Sequence, residues 1–260
     1  MRFWTYFFGL SILFSSISMA HAQQNKSGGI TLTIMPLVLD VRPPQVGDNV
    51  IVRNGSQMPV RLQVRVFRWQ QRGGKDYYAP TTDVIVNPPF IEVQPGARAT
   101  ARVTRVSKQP LTGEESYRIF VDQIPVSSLR TARAGIVTPG INMALRQIIP
   151  AFFRPGSGPA SANQSRNQSQ NGLIFKAEAA RGGFNITASN SSANRIRISD
   201  VNLVANGAVI GGKANLAGYA LPGSAIKFFV PAQGGGMPNS ISFTTDQGRM
   251  ELPLQINSRR

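Results

Sequence analysis

Val60-Arg61-Leu62-Gln63-Val64-Arg65-Val66 decides how this chain folds. Val60, Leu62, Val64 and Val66 fall on one face of an extended segment, and Arg61, Gln63 and Arg65 on the other. A period of two is that of a β-strand with one wet face and one dry face. Residues 97–106 repeat the pattern, with Ala97, Ala99, Ala101 and Val103 set against Arg98, Thr100, Arg102 and Thr104. Residues 117–124 are mostly apolar, as a strand buried on both faces requires. Asn54-Gly55, Pro88-Pro89 and Pro95-Gly96 supply turns or bends between these runs.

Nowhere does an apolar residue recur at i, i+3, i+4 and i+7 over three turns, so helices are not expected. The β pattern stops at residues 156–171, GSGPASANQSRNQSQN, which read as an interdomain linker or a long exposed loop. It resumes at 173–177, 184–189, 195–204, 225–230, 240–244 and 250–256, with Leu221-Pro222-Gly223 as a bend. The chain is expected to be all-β, with one domain over 23–155 and a second over 172–260, each the size of a sandwich.

The first 22 residues stand apart. Arg2 precedes an apolar run from Phe3 to Met19, and Ala20-His21-Ala22 offers small residues at the −3 and −1 positions of a cleavage site. That is the layout of a secretory signal peptide, so export is expected and residues 1–22 are left out of the fold. No later run reaches the length of a membrane span.

Composition narrows the chemistry. The chain has no cysteine, which excludes disulfides and thiolate metal sites, and its one histidine, His21, lies in the leader. Acidic residues are few and show no metal-loop spacing, and Gly234-Gly235-Gly236 precedes no helix. Neither catalytic residues nor a cofactor or metal are expected, and a hydrolase ranks last among the readings. Lys and Arg number 28 against 12 Asp and Glu, a net charge of +16. An exported protein is a poor candidate for nucleic acid. The excess charge fits either a self-repelling, solvated surface or attraction to acidic partners.

Several stretches together resemble the periplasmic chaperones of the chaperone/usher pilus pathway. They are PVRLQVRVFRW at 59–69, NPPFIEVQPG at 87–96, ESYRIFVDQIP at 115–125 and Phe153-Arg154-Pro155, joined by GYALPG at 218–223 and Asp246-Gln247-Gly248. The resemblance implies two immunoglobulin-like sandwiches set at an angle. It implies a last strand of the first domain, about 140–149, that is lent to an unfinished pilus subunit. Ile141, Met143 and Leu145 share one face of that strand. By pattern alone they could equally line the chain's own core; the resemblance assigns them to the subunit. The implied partners are pilus subunits and then an outer-membrane usher, in the periplasm.

Two departures matter. The family anchors the subunit's terminal carboxylate with an Arg early in the first strand and a Lys four residues before the closing Arg. Here Met35-Pro36-Leu37-Val38 and Pro150 occupy those places. With Tyr117-Arg118, the pattern resembles the divergent archaic branch. Arg118 is the expected substitute anchor, or else a surface arginine paired with a nearby acid, and Arg146 is a second candidate. Pro150 is expected to end or bend the donor strand near Ile149. Glu114 (or Glu115), Arg154 and Asp246 are expected to bridge the domains by family analogy. The loop 126–139 is expected to order against a partner. The rival readings are a pilus subunit or adhesin, and a basic module for anionic surfaces.

Overall fold

The computed structural model describes residues 30–124, 144–156, 172–233 and 236–257. The leader, the loop 126–139 and nearly all of the linker at 156–171 therefore lie outside the described residues. Every regular element described is a strand.

In chain order the first half contains β1 (Leu32–Met35), β2 (Leu39–Val41), β3 (Gly47–Asn54), β4 (Val60–Arg72), β5 (Lys75–Pro80), β6 (Val84–Asn87), β7 (Phe90–Val93), β8 (Arg98–Arg105), β9 (Glu115–Ile124) and β10 (Arg146–Phe153). One sheet runs β1-β3-β8-β6; the facing sheet runs β2-β10-β9-β4-β5, with β7 also paired to β4. The inward positions read from the sequence close the space between them. Val60, Leu62 and Val64 of β4 and Ala101 and Val103 of β8 are buried in one core with Tyr117, Ile119 and Val121 of β9. Arg61 of β4 faces solvent.

The second half contains β11 (Leu173–Ala180), β12 (Gly183–Asn190), β13 (Ile196–Ala205), β14 (Ala208–Ala220), β15 (Ser224–Pro231), β16 (Ser240–Thr245) and β17 (Gly248–Ile256). Their order is β14-β13-β16-β17-β11-β12-β15. β17 joins the two halves of this sheet: it pairs antiparallel with β16 and then, from Leu254 to Ile256, parallel with β11. Phe175, Ile186, Ile198, Leu203 and Phe243 form a separate core.

β14 was not expected from the sequence. Ala and Gly make up most of it, so it shows no alternation, and its only β-branched residues, Val209 and Ile210, are adjacent. Its glycines allow close packing: a Cβ at Gly211 would lie 2.3 Å from the Pro231 carbonyl, and one at Gly212 would lie 2.7 Å from Asn202 Oδ1.

Each sandwich turns a corner on the same device. Asn54, fully buried at the end of β3, donates through Nδ2 to the carbonyls of Met58 (2.8 Å) and Val93 (2.9 Å), and its Oδ1 accepts from the Ser56 N–H. Asn190, ending β12, donates to the carbonyls of Asn194 and Ala220 (both 2.8 Å) and accepts from the Ser192 N–H. Buried carbonyls stripped of a donor are costly. Asn54→Ala and Asn190→Ala are each expected to lower stability by about 2–4 kcal/mol, measured by urea unfolding. A loss below about 1 kcal/mol would show that water or relaxation replaces these bonds.

Candidate functional site

β10 is bonded to β9 along its whole length but to β2 only from Ala151 to Phe153, in parallel. The hydrogen-bond phase can be read from one bond: the Gln123 N–H donates to the Leu145 carbonyl at 2.9 Å. Odd-numbered residues of β10 therefore bond to β9, and even-numbered ones turn their backbone groups the other way. Arg146 and Ile148 accordingly present N–H and C=O at an unpaired edge, whereas Pro150 has no N–H and its carbonyl is taken by the parallel ladder to Leu39.

This phase corrects one expectation. The strand does not stop near Ile149; it continues through Pro150 to Phe153. The donor that proline lacks would have pointed to the open edge, so the ladder to β9 loses nothing.

Leu145 is 41% exposed at the start of this segment, while Ile149, Ala151 and Phe153 on the same face are buried in the first core. Ile148 is exposed on the opposite face. Ile141 and Met143 lie outside the described residues.

β4 and β10 then change burial partner. In β4 the dry positions are Val60, Leu62 and Val64, then Trp69 and Gln71, so the buried parity switches from even to odd. The first set faces the strand's own core. The second lies on the outer face of the sheet and is covered by the second sandwich. Trp69, Phe152, Tyr219 and Leu221 form an interdomain cluster against which Val38 packs. Gln71 completes it with an amide pair, donating to the Tyr219 carbonyl (2.8 Å) and accepting from the Leu221 N–H (2.9 Å).

Beside this cluster lies a four-member charge network. Glu114, whose side chain is 0% exposed, accepts from Arg195 Nη1 (2.9 Å) and from the Arg195 backbone N–H (3.1 Å). Arg154 Nε lies 3.0 Å from Glu114 but is not aligned to donate to it; Arg154 Nη2 donates instead to Asp40 at 2.9 Å. Arg195 also reaches Asp40 (3.2 Å) and stacks 3.7 Å over the Phe152 ring. Burial pushes the Asp40 pKa up, but Arg195 and Arg154 outweigh it and hold the carboxyl below its ordinary value. Burial lowers the pKa of Arg154.

Of the two acids weighed from the sequence, Glu114 faces the second domain, whereas Glu115 bonds to Arg105 and Tyr117 within the first. Asp246 does not enter the network. Its side chain is 54% exposed, and its one ion pair among the described residues, at 4.0 Å, is with Arg197 of its own domain. Asp40 and Arg195 take the remaining places, and neither carries a local sequence signal.

Arg118 sits on the cleft face of β9, directly across from Pro150. Its guanidinium lies 3.6 Å above the Trp69 ring, and its one ion pair among the described residues, with Asp76, is long at 3.8 Å. The side chain is 16% exposed, its Nε has no hydrogen-bond partner, and burial lowers its pKa. Ser116 Oγ and Trp69 Nε1 are likewise buried without partners. By register both lie one row along the same sheet face. Arg146 is committed elsewhere: it pairs with Asp122, which also binds Arg65, and it stacks 5.4 Å over Phe120. Among the described residues no group of His, Cys, Asp or Glu could hold a metal ion.

Known proteins share this fold. The family model for pili and flagellar-assembly chaperones, PapD N-terminal domain, matches residues 31–159. No curated protein sequence matches. Among solved structures, a chain of the CsuC–CsuE chaperone–tip adhesion subunit pre-assembly complex, from archaic chaperone-usher Csu pili of Acinetobacter baumannii, aligns with a TM-score of 0.63 at 22% identity. It covers 88% of this chain and 100% of that one. The CupB2 chaperone of Pseudomonas aeruginosa gives 0.54 at 17%, covering 86% and 100%. The Salmonella enterica SafA pilin–SafB chaperone complex gives 0.56 at 16%, covering 86% and 96%. At these identities the likeness shows the fold of two immunoglobulin-like domains.

The depressed Asp40 pKa fixes the sign of a pH dependence. Its contribution to stability is complete above the ordinary Asp range, about pH 4, and is lost as the pH falls through the native value. Asp40→Asn is expected to cost stability at pH 6 and to converge toward the parent near pH 3. Urea midpoints across that range test it, and a constant gap would contradict it.

Proposed function

Because the chain belongs to the pili and flagellar-assembly chaperone family, we propose that it holds unfinished pilus subunits in the periplasm by lending them the edge of β10, and passes them to an outer-membrane usher. The observation that carries this reading is the unpaired edge from Arg146 to Ile148, which opens beside a cleft that a second sandwich walls off. A subunit that lacks a strand exposes both unpaired backbone and an apolar groove. An added strand satisfies the backbone, and alternate side chains fill the groove. Leu145 already stands free for this, and Ile141 and Met143 precede it at the same spacing.

Arg118 is the carboxylate anchor in this reading. Where the family places its first basic residue, this chain packs Val38 under the Trp69–Phe152 cluster. Where the family places its second, Pro150 lies across the ladder from Arg118. The positive charge has in effect moved from β10 to the neighbouring strand. A buried guanidinium with a free Nε and one long ion pair can still bind a carboxylate at low cost, since little has to be broken first. Anchor and pattern together favour the archaic branch. The interdomain network of Glu114, Arg154, Asp40 and Arg195 holds the angle at which subunit and anchor meet.

Two experiments follow. With tagged protein in a periplasmic pull-down, Met143→Asp/Leu145→Asp is expected to lose a small β-rich subunit that the parent retains; equal recovery by both would overturn strand donation. Arg118→Ala is expected to weaken a peptide copying the subunit's last strand at least tenfold when the peptide ends in a carboxylate. With a C-terminal amide, parent and variant should bind alike. A tenfold loss for both peptides would assign Arg118 to the fold of the cleft instead.

A further inference from the structure

On the side of the first sandwich away from the cleft, the outer face of the β1-β3-β8-β6 sheet carries arginine without acid. Arg53 of β3 and Arg98 of β8 are directly opposed in the ladder, and Arg102 follows on β8. All three are exposed, and none has an ion pair or hydrogen-bond partner among the described residues. Registers place Thr33, Asn49, Thr100, Thr104 and Asn87 on the same face. Like charges directly opposite in an antiparallel pair repel, so the isolated fold is penalised for this placement. The six-stranded sheet does the reverse: Arg61, Arg65, Arg68 and Arg146 of its strands are each paired with an acid.

Apolar side chains accompany these arginines. Met35, at the end of the edge strand β1, lies beside Ile51, Ile85 lies on the opposite edge strand β6, and Leu37 follows β1; Met35, Ile85 and Leu37 are exposed. The result is a sheet face with unpaired cations, hydroxyl and amide donors, and short apolar projections.

We propose that this face docks the protein on an anionic phospholipid surface. Two features favour lipid over an acidic protein. First, the charges of this face stand at separated points: an opposed pair and a third arginine four residues along β8. Mobile head-group phosphates can come to each guanidinium, whereas a rigid partner would need acids at matching positions. Second, the exposed Met35, Leu37 and Ile85 suit the head-group boundary, where basic and apolar side chains act together. The net charge of +16 adds long-range attraction. Since the donor edge belongs to the other sheet, the protein can lie on a membrane and hold a partner at once. The inference does not depend on strand donation.

The test is co-sedimentation of the full-length mature protein with vesicles of phosphatidylcholine, or of phosphatidylcholine with about a third phosphatidylglycerol, at low and at physiological salt. Arg53→Gln/Arg98→Gln is compared with a charge-matched control in the second domain, Lys176→Gln/Arg181→Gln. Binding only to the anionic vesicles, reduced at least fivefold by the first pair and little by the control, is expected. The first pair should also hold or raise the thermal midpoint at low salt, because it removes the opposed charges; this separates lost binding from lost folding. Equal loss in both variants would overturn the assignment to this face. So would capture of an acidic polypeptide such as polyglutamate through Arg53 and Arg98 with no vesicle binding, which would make the partner a protein.

Discussion

Burying the Glu114 carboxylate costs several kcal/mol of hydration unless cations and N–H groups replace the lost water. Here the replacements come from both sides of the domain junction: the backbone and guanidinium of Arg195 from the second sandwich, with Arg154 close by from the first. Drawing the sandwiches apart would strand that carboxylate. It would also expose Trp69, Phe152, Tyr219 and Leu221, and open the amide pair of Gln71. The cleft therefore rests on one polar and one apolar commitment, each incomplete without the other domain.

This constraint explains why β4 and β10 are built differently from the other strands. An ordinary sandwich strand has one dry face. β4 changes its dry face, from the first core at Val60 to Val64 to the domain junction at Trp69 and Gln71, and β10 from Ile149 to Phe153 is dry on both, because one side packs in the first core and the other lies under the second domain. Only the near ends of these strands show clean alternation, and there the reading from Val60 to Val66 works. Beyond it, Phe67 to Gln71 and Ile149 to Phe153 read as mixed or continuous apolar runs.

Much of the fold was legible for that reason. Period-two runs, turn residues and the absence of helical spacing follow from local physics. β14 was not legible, because its glycines serve close approach to Pro231 and Asn202, which sequence does not show. The site was legible in part. Arg118 and Glu114 stand out next to the buried Tyr117 strand, and the 218–223 motif supplies Tyr219 and Leu221 to the junction. Asp40 and Arg195 are far apart in the chain and meet only through the domain arrangement; a lone Asp before Val41 or a lone Arg before Ile196 carries no sign of this. Asp246 misled in the opposite way, as a conspicuous acid whose ion pair, with Arg197, stays within its own domain.

The parallel pairing of β2 with Ala151 to Phe153 has a further consequence. From Pro150 onward the outer edge of β10 is already taken: proline has no donor to offer, and its carbonyl belongs to the ladder with Leu39. An arriving strand can thus zip only as far as this barrier, whatever its length. Arg118 lies on the rung of the ladder where zipping must stop. On the proposed reading the edge would act as a ruler with its zero mark at Pro150, so that one chemical group, at one end of the guest, would set the alignment of every residue behind it.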